Sequence, residues 1–276
     1  MELELAGTVV RARSVAGIET CIELPGHRLC FDIGRCTDQA AARCRTILCT
    51  HAHVDHLGAL PHHVARRAMW RLPPTRLVVP ATEVEAVERL LQGWRELART
   101  ELPCEVVPAE AGEEIPLGKG RSARPFRSSH RVPTLGYALI RRGQRLRSEL
   151  EGMAGPQIAA RRASGETVTE PFERIEVAFT GDTRAVVLDR EPWLERARLL
   201  IIECTFLDGD GAEQRADRTG HVALPQLAAR AHRLVQPDVL LTHFSSRYSP
   251  DRIRDAVARC LPADLVDRVT LLVDDA

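Results

Sequence analysis

Short apolar runs recur along this chain, set apart by glycine, proline and charged residues. Val9 to Arg13, Glu19 to Leu24 and Arg28 to Asp32 read as strands separated by Gly17 and Pro25-Gly26. Arg45 to Thr50 reads as a buried strand and Leu60 to Trp70 as a helix. Leu77 to Pro80 is a further strand. Thr82, with Glu85 three residues on, then predicts a capped helix running towards Leu97. Cys104 to Val107, Ala123 to Arg127 and Tyr137 to Arg141 continue the strand pattern. In the second half Glu176 to Thr180, Arg198 to Ile202 and Asp238 to Thr242 are apolar strands. Leu224 to Leu234 and Asp251 to Cys260 have helical spacing. Apolar strands alternating with helices predict an α/β layering with buried sheets.

Four of these strands run directly into a polar residue able to hold a metal or a proton: His51, Asp182, Glu203 and His243. Ligands in α/β folds gather beyond the carboxyl ends of strands, so distant parts of the chain are expected to converge there. The densest signal is Thr50-His51-Ala52-His53-Val54-Asp55-His56-Leu57-Gly58, with three imidazoles and a carboxylate within six positions. His51 and His53 alternate, so an extended segment points both to one side. Imidazole and carboxylate suit a borderline metal such as zinc. Four such groups exceed what one open catalytic zinc takes from the protein, which points to two metals.

Asp182, in the turn Gly181-Asp182-Thr183, is able to bridge two cations about 3.5–4 Å apart. Taken alone it reads as a turn aspartate capping its own backbone, and His130, after Ser128-Ser129, as an ordinary loop histidine. Joined with His243 and the cluster, they make a set of seven ligands. Glu203 and His221 form a different pair. A buried carboxylate orients an imidazole and raises its pKa, making a proton donor near neutral pH. Gly220 lets the backbone come close to a ligand. His27, His62, His63 and His232 fall on turns or helices away from strand ends and carry no assignment.

Composition narrows the picture only slightly. With 276 residues the chain is one large domain or two small ones. The formal net charge of zero gives no global argument for nucleic-acid binding and leaves room for a local patch. No apolar run is long enough to cross a bilayer. The opening Met1-Glu2-Leu3-Glu4-Leu5 lacks the layout of a signal peptide. Eight cysteines include no C-x-x-C pair and lie mostly among apolar residues. They imply a reducing, cytoplasmic compartment without a disulfide framework.

The set His51-x-His53-x-Asp55-His56 with His130, Asp182 and His243 resembles the metallo-β-lactamase superfamily. Ser129-His130-Arg131-Val132-Pro133-Thr134-Leu135-Gly136-Tyr137, Ala178-Phe179-Thr180-Gly181-Asp182-Thr183, Glu203-Cys204-Thr205-Phe206, Gly220-His221 and Leu241-Thr242-His243-Phe244-Ser245-Ser246-Arg247-Tyr248 look like the ordered motifs of ribonuclease Z, the tRNA 3′-processing endonuclease. Glu19-Thr20-Cys21 and Phe31-Asp32-Ile33-Gly34-Arg35-Cys36 look most like the short form found in plants. The resemblance covers nearly the whole chain. It implies a four-layer αβ/βα metallo-β-lactamase sandwich over residues 1–276, two zinc ions (or manganese or another divalent ion), and cleavage of precursor tRNA just 3′ of the acceptor stem. By that resemblance His51, His53 and His130 would hold one ion, Asp55, His56 and His243 the other, and Asp182 would bridge them. Asp55 would orient or deprotonate the attacking water, and His221, supported by Glu203, would protonate the leaving oxygen. A homodimer is implied, in which one subunit's arm could serve the other's active site.

Two departures stand out. Bacterial members usually follow the early Asp-x-Gly with Glu-Gly-Thr-Gln, where this chain has Arg35-Cys36-Thr37-Asp38. They also carry a long Gly- and Pro-rich arm that grips the tRNA elbow. The equivalent stretch here, about 141–169, is a short basic arm with Arg141, Arg142, Arg145, Arg147, Arg161 and Arg162. Such an arm suits phosphate contacts that position without reading sequence; its alternative is an exposed solvated loop. The main rival function is a phosphodiesterase or esterase for a small molecule on the same site. A further rival, a non-catalytic metal or nucleic-acid binding module, fits poorly with a full set of ligands and proton-transfer candidates.

Overall fold

Two mixed sheets lie face to face, and their central strands alternate an inward with an outward apolar residue. The computed structural model describes residues 1–273; the end of the expected 1–276 domain lies outside the described residues. The first sheet runs β1 (Glu2–Leu5), β2 (Thr8–Ala16), β3 (Glu19–Leu24), β4 (Leu29–Phe31), β5 (Thr46–Leu48), β6 (Thr75–Pro80) and β7 (Cys104–Ala109), in that spatial order. It is antiparallel from β1 to β4 and parallel from β4 to β7. The second sheet holds β8 (Ile115–Gly118), β9 (Arg121–Arg127), β10 (Leu135–Leu146), β11 (Thr169–Phe179), β12 (Leu199–Glu203) and β13 (Asp238–Thr242). The short β14 (Phe244–Ser245) pairs with β2 in the first sheet, and β15 (Val269–Leu271) closes the second beside β13.

Three apolar clusters define four layers. Between the sheets, Ile22, Phe31, Leu48 and Val78 meet Tyr137, Val177, Phe179, Leu199 and Ile201. On the outer face of the first sheet, Ile47, Leu77 and Val79 are covered by α1 (Asp38–Arg43), α2 (Val54–Leu57), α3 (Leu60–Met69) and α4 (Val84–Ala98) through Ala41, Leu57, Leu60, Val64, Val87 and Leu91. Beyond these, α5 (Gly155–Ala163) sits alone on the arm. The outer face of the second sheet is covered by α6 (Val187–Arg190), α8 (Leu224–Ala228), α9 (Pro250–Cys260) and α10 (Ala263–Val266), with α7 (Ala212–Thr219) at the margin. This is the α/β four-layer αβ/βα sandwich expected from the sequence.

Several local expectations need correction. Thr82 caps nothing: α4 is entered through a 3₁₀ turn, Ala81–Glu83, with no side-chain cap, and the Thr82 hydroxyl donates to Glu83 Oε1. The helix expected over Leu224 to Leu234 breaks into α8 and a 3₁₀ turn at Ala231–Arg233. The strand expected to end at Arg141 continues to Leu146 and pairs with β11 down to Thr169. The stalk of the arm is therefore a two-stranded ribbon, and only residues 147–168 lie beyond it.

Parallel strands place their carboxyl ends together. Asp32 follows β4, His51 follows β5, Asp182 follows β11, Glu203 ends β12 and His243 follows β13, all at one end of the sandwich. The arm leaves from the other end. Eleven residue steps of β10 separate Leu135, bonded to Thr50, from Leu146. At 3.2–3.4 Å per residue this is roughly 35 Å.

Candidate metal centre

One wall of the site is the turn carrying His51, His53, Asp55 and His56. Its shape is set by close backbone packing with the loop after β4. The Ile33 N–H donates to His56 O at 2.7 Å and Gly34 N–H to Thr20 O at 2.9 Å. A Cβ on Gly34 would sit 1.8 Å from Asp55 O, so only glycine permits the approach. The β2–β3 turn adds a third support, donating from Gly17 N–H to Asp55 Oδ2 at 2.9 Å.

Ligand atoms within 4.8 Å of one another form three groups: His51, His53, His130 and Asp182; Asp55, His56 and His243; and Asp182, His221 and His243, which shares one residue with each of the others. Asp182 stands between the first two. Its Oδ2 lies 3.7 Å from His51 Nε2, and its Oδ1 lies 3.3 Å from His56 Nε2 and 3.5 Å from His243 Nε2. Asp55 Oδ2 is 3.7 Å from His56 Nε2 and 3.6 Å from His243 Nε2. These contacts are too long for good hydrogen bonds and leave a common space for cations. All seven residues named from the sequence come together here.

The outward bonds of the imidazoles show what that space fits. His56 Nδ1–H donates to Asp32 Oδ2 at 2.8 Å, and Asp32 also accepts from Thr50 N–H at 2.7 Å and from the Thr50 hydroxyl. His51 Nδ1–H donates to that hydroxyl at 2.9 Å. His243 Nδ1–H donates to the Thr205 hydroxyl at 3.0 Å, and Thr205 donates onward to Glu203 Oε2 at 2.6 Å. His130 Nδ1–H donates to Gly220 O at 2.7 Å, leaving its buried Nε2 without any partner. With Nδ1 committed, these four rings turn Nε2 into the cluster, and His53 brings its Nδ1 to 2.9 Å from His51 Nε2. An orphaned buried nitrogen and a ring of such lone pairs are what divalent metal binding needs. The donor set of imidazole and carboxylate fits zinc or another first-row ion.

Electrostatics agree. Burial pushes the His51, His53 and His130 imidazoles down, so they stay neutral and ready to bind. Burial also penalises charged His56, but Asp182 and Asp32 overcome it and raise its pKa well above normal. A metal ion would replace the proton at Nε2. Burial opposes ionisation of Asp55, yet the neighbouring imidazoles of His243 and His56 hold it well below the usual carboxylate range.

His221 and Glu203 form the expected pair at the rim. His221 Nδ1 lies 2.9 Å from Glu203 Oε1. Burial lowers the His221 pKa, but the Glu203 charge and hydrogen bond, with Asp182, raise it to about 9. Glu203 is 1% exposed and also accepts from the backbone of Thr183 and Val222. His221 Nδ1 lies 3.8 Å from Asp182 Oδ2. With Nδ1 held by Glu203, Nε2 is the atom left for a substrate. Gly220, at φ +84°, brings the backbone against His130, where a Cβ would sit 2.9 Å from Nδ1.

The whole layout has known counterparts. A beta-lactamase superfamily domain matches residues 33–244. The chain is 38% identical over 259 residues to the chloroplastic tRNase Z TRZ2 of Arabidopsis thaliana, covering 93% of this chain and 73% of that protein. It is 34% identical to tRNase Z TRZ1 of the same plant, over 98% of this chain and 96% of the other. The chain belongs to the ribonuclease Z family. As a ribonuclease Z it is a metal-dependent endoribonuclease. The crystal structure of the short form of human tRNase Z has the same fold, with a TM-score of 0.59 and 22% identity over 99% of this chain and 97% of that one.

Asp32 and Thr205 fall within the family-like motifs and Thr50 opens the histidine run, but none of the three carried a predicted role. Each is buried and holds a ligand histidine through a hydrogen bond. The signals for Asp32 were a carboxylate at the end of an apolar strand and its place in Phe31-Asp32-Ile33-Gly34.

The basic arm looks different in three dimensions. Arg141 faces Glu176 at 3.6 Å, Arg142 faces Glu173 at 2.7 Å, and Arg145 faces Glu170 at 2.7 Å. Arg147 pairs with Glu149 at 2.6 Å and Arg161 with Glu166 at 3.1 Å. Arg162 alone of the six has no ion pair among the described residues. Arg142 also bonds Glu114, which it and Arg124 hold at a pKa of about 2. These pairs are exposed and weak, so a phosphate could displace the carboxylates. Arg142 is nonetheless part of a network at the base of the ribbon.

Proposed function

We propose that this chain is a dinuclear zinc endoribonuclease that cuts precursor tRNA just 3′ of the acceptor stem, maturing its 3′ end. The observation that carries this reading is one cluster of seven ligands, four of them buried, with a carboxylate-backed imidazole at its rim. His51, His53 and His130 would hold one ion, Asp55, His56 and His243 the other, and Asp182 both. When bound, the ions supply Lewis acidity, activating water and offsetting charge on the phosphate.

The remaining steps fall to the chain itself. Asp55, kept ionised by its neighbours, orients the attacking water and accepts its proton. His221, kept protonated by Glu203, donates from Nε2 to the leaving 3′ oxygen of the tRNA. Asp32, Thr50 and Thr205 fix the imidazoles so that the site needs little rearrangement when substrate arrives.

We treat residues 1–276 as one domain with an arm at about 141–169. In its own chain the arm springs from the end of the sandwich remote from the metals. This supports a homodimer in which each arm holds the tRNA bound at the partner's centre, with Arg162 and the exchangeable pairs contacting phosphates. No helix among the described residues is long and apolar enough to cross a membrane. All eight cysteines are free, which favours a reducing, cytoplasmic setting.

Side-by-side assays test the reading. A 3′-extended tRNA should be cut at one site, leaving a 3′-hydroxyl on the tRNA. Hydrolysis of a chromogenic phosphodiester without tRNA cleavage would favour the small-molecule alternative.

A further inference from the structure

A second cavity adjoins the metal centre. It has a volume of about 510 Å³ and lies at the carboxyl ends of β6, β7 and β9. That volume falls in the roughly 300–1,000 Å³ range of small-ligand sites. Its position relative to the chemistry is fixed by the chain. Ser128 and Val132, which line it, lie two residues to either side of His130. Leu135, also lining it, donates its N–H to Thr50 O at 3.0 Å, the residue before His51. One loop thus walls the metal centre on one side and this cavity on the other.

The lining has two kinds of surface. Pro80, Val132 and Leu135 give flat apolar contact suited to a planar ring. Glu110 and Arg127 are exposed, and neither side chain has a hydrogen bond or ion pair among the described residues. Most strand arginines of the second sheet are paired with a carboxylate, among them Arg124, Arg141, Arg142, Arg145 and Arg174, and Arg127 is not. The two are not paired with each other either, so the cavity offers a free two-acceptor carboxylate and a separate free two-donor guanidinium.

Guanine is the one common nucleobase that meets both. Its N1–H and N2–H groups form an edge of two adjacent donors, and its O6 and N7 an edge of two adjacent acceptors. Guanidinium on O6 and N7 is a strongly preferred pairing. Cytosine and adenine place only one amino group on the donor side, and uracil a single ring N–H.

We propose that this cavity is a guanine subsite, receiving the base of a nucleotide that adjoins the scissile phosphate, with Glu110 on N1 and N2 and Arg127 on O6 and N7. The proposal rests on the RNA reading of the metal centre. It assigns this ribonuclease a base preference beside the cut, which phosphate contacts alone do not give.

Calorimetric titration of the metal-loaded protein with GMP, IMP and CMP tests it. The phosphate is common to all three, so differences report the base. GMP should bind about tenfold or more tighter than CMP. IMP, which lacks the 2-amino group, should bind several-fold more weakly than GMP. Glu110→Gln should bring GMP and IMP together. Arg127→Ala should remove the advantage of GMP over its 7-deaza analogue. GMP and CMP binding within twofold of each other in the unmodified protein would overturn the subsite, as would a GMP–IMP difference that survives Glu110→Gln. The titration involves no RNA cleavage. A protein that prefers GMP but leaves 3′-extended tRNA intact keeps the subsite and loses the tRNA reading, and the reverse pattern removes the subsite alone.

Discussion

Asp32→Asn probes the support beneath the metal centre without touching a proposed ligand. Asp32 is fully buried at φ +57°, a backbone region that asparagine also tolerates. The substitution keeps shape and removes one acceptor. Asn Oδ1 can still take the Thr50 N–H and hydroxyl, now bonded at 2.7 and 3.0 Å. Its NH₂ must then face His56 Nδ1, 2.8 Å from the present Oδ2. Donor meets donor for as long as Nδ1 keeps its proton, and the only relief is a ring protonated on Nε2 alone, the atom aimed at Asp182 and His243. An unsatisfied buried donor costs about 1–3 kcal/mol. Taking about 2 kcal/mol, the metal-free protein should melt about 4–8 °C lower. Loss of such an outer support typically lowers metal affinity about 10–100-fold. Chelator competition should show that loss for one ion per chain, the one expected at Asp55, His56 and His243, with the other little changed. Unaltered melting together with unaltered affinity for both ions would refute the reasoning.

His221→Ala should keep both metals and tRNA affinity and lose about 10²–10⁴-fold in single-turnover rate; a drop in bound zinc would make His221 a ligand instead. Glu203→Gln should slow turnover and also lower the melting point, because Glu203 accepts from Thr183, Val222 and Thr205 as well as from His221; unchanged melting would count against that hub. Burial, with the Arg67 charge, lowers the His63 pKa from 6.5 to about 4. The stability this gives is complete above pH 6.5 and lost as pH falls towards 4, about 2 kcal/mol between pH 7.5 and 5.0. Urea melts of metal-free protein should show that loss, and His63→Leu should flatten it; parallel pH curves would exclude the assignment. Arg142→Ala should loosen the base of the arm more than it weakens salt-dependent tRNA binding, with Arg162→Ala showing the opposite balance; protease cleavage of the ribbon and salt slopes distinguish the two.

The site was readable because strands buried on both faces are near-continuous apolar runs, so His51, Asp182, Glu203 and His243 stood out at their ends. The groups holding those residues were harder to see. Asp32, Thr50 and Thr205 are ordinary polar residues whose roles depend on neighbours from β4, β5 and β12 meeting across the sandwich. The arm misled for a related reason. Its arginines are clustered in sequence, but the ribbon register sets Arg145 against Glu170 and Arg142 against Glu173, so much of the charge is spent locally. Thr82 failed as a cap because the chain enters α4 through a 3₁₀ turn, which local spacing does not reveal. The marginal strands β1, β8 and β15 went unnoticed for want of a long apolar run. The alternation of strands and helices pointed to an α/β layering with buried sheets, and the four-layer arrangement followed from the family resemblance.

The central claim is that two metal ions, held by seven residues, act together on precursor tRNA. Its most direct test is the cleavage rate of a 3′-extended tRNA by metal-free protein reloaded with counted equivalents of zinc. The account predicts little cleavage through the first equivalent, a rise during the second, a plateau at two, and one product ending in a 3′-hydroxyl beside the acceptor stem. Full activity at one equivalent, or none at any loading while a small phosphodiester is hydrolysed, would contradict it.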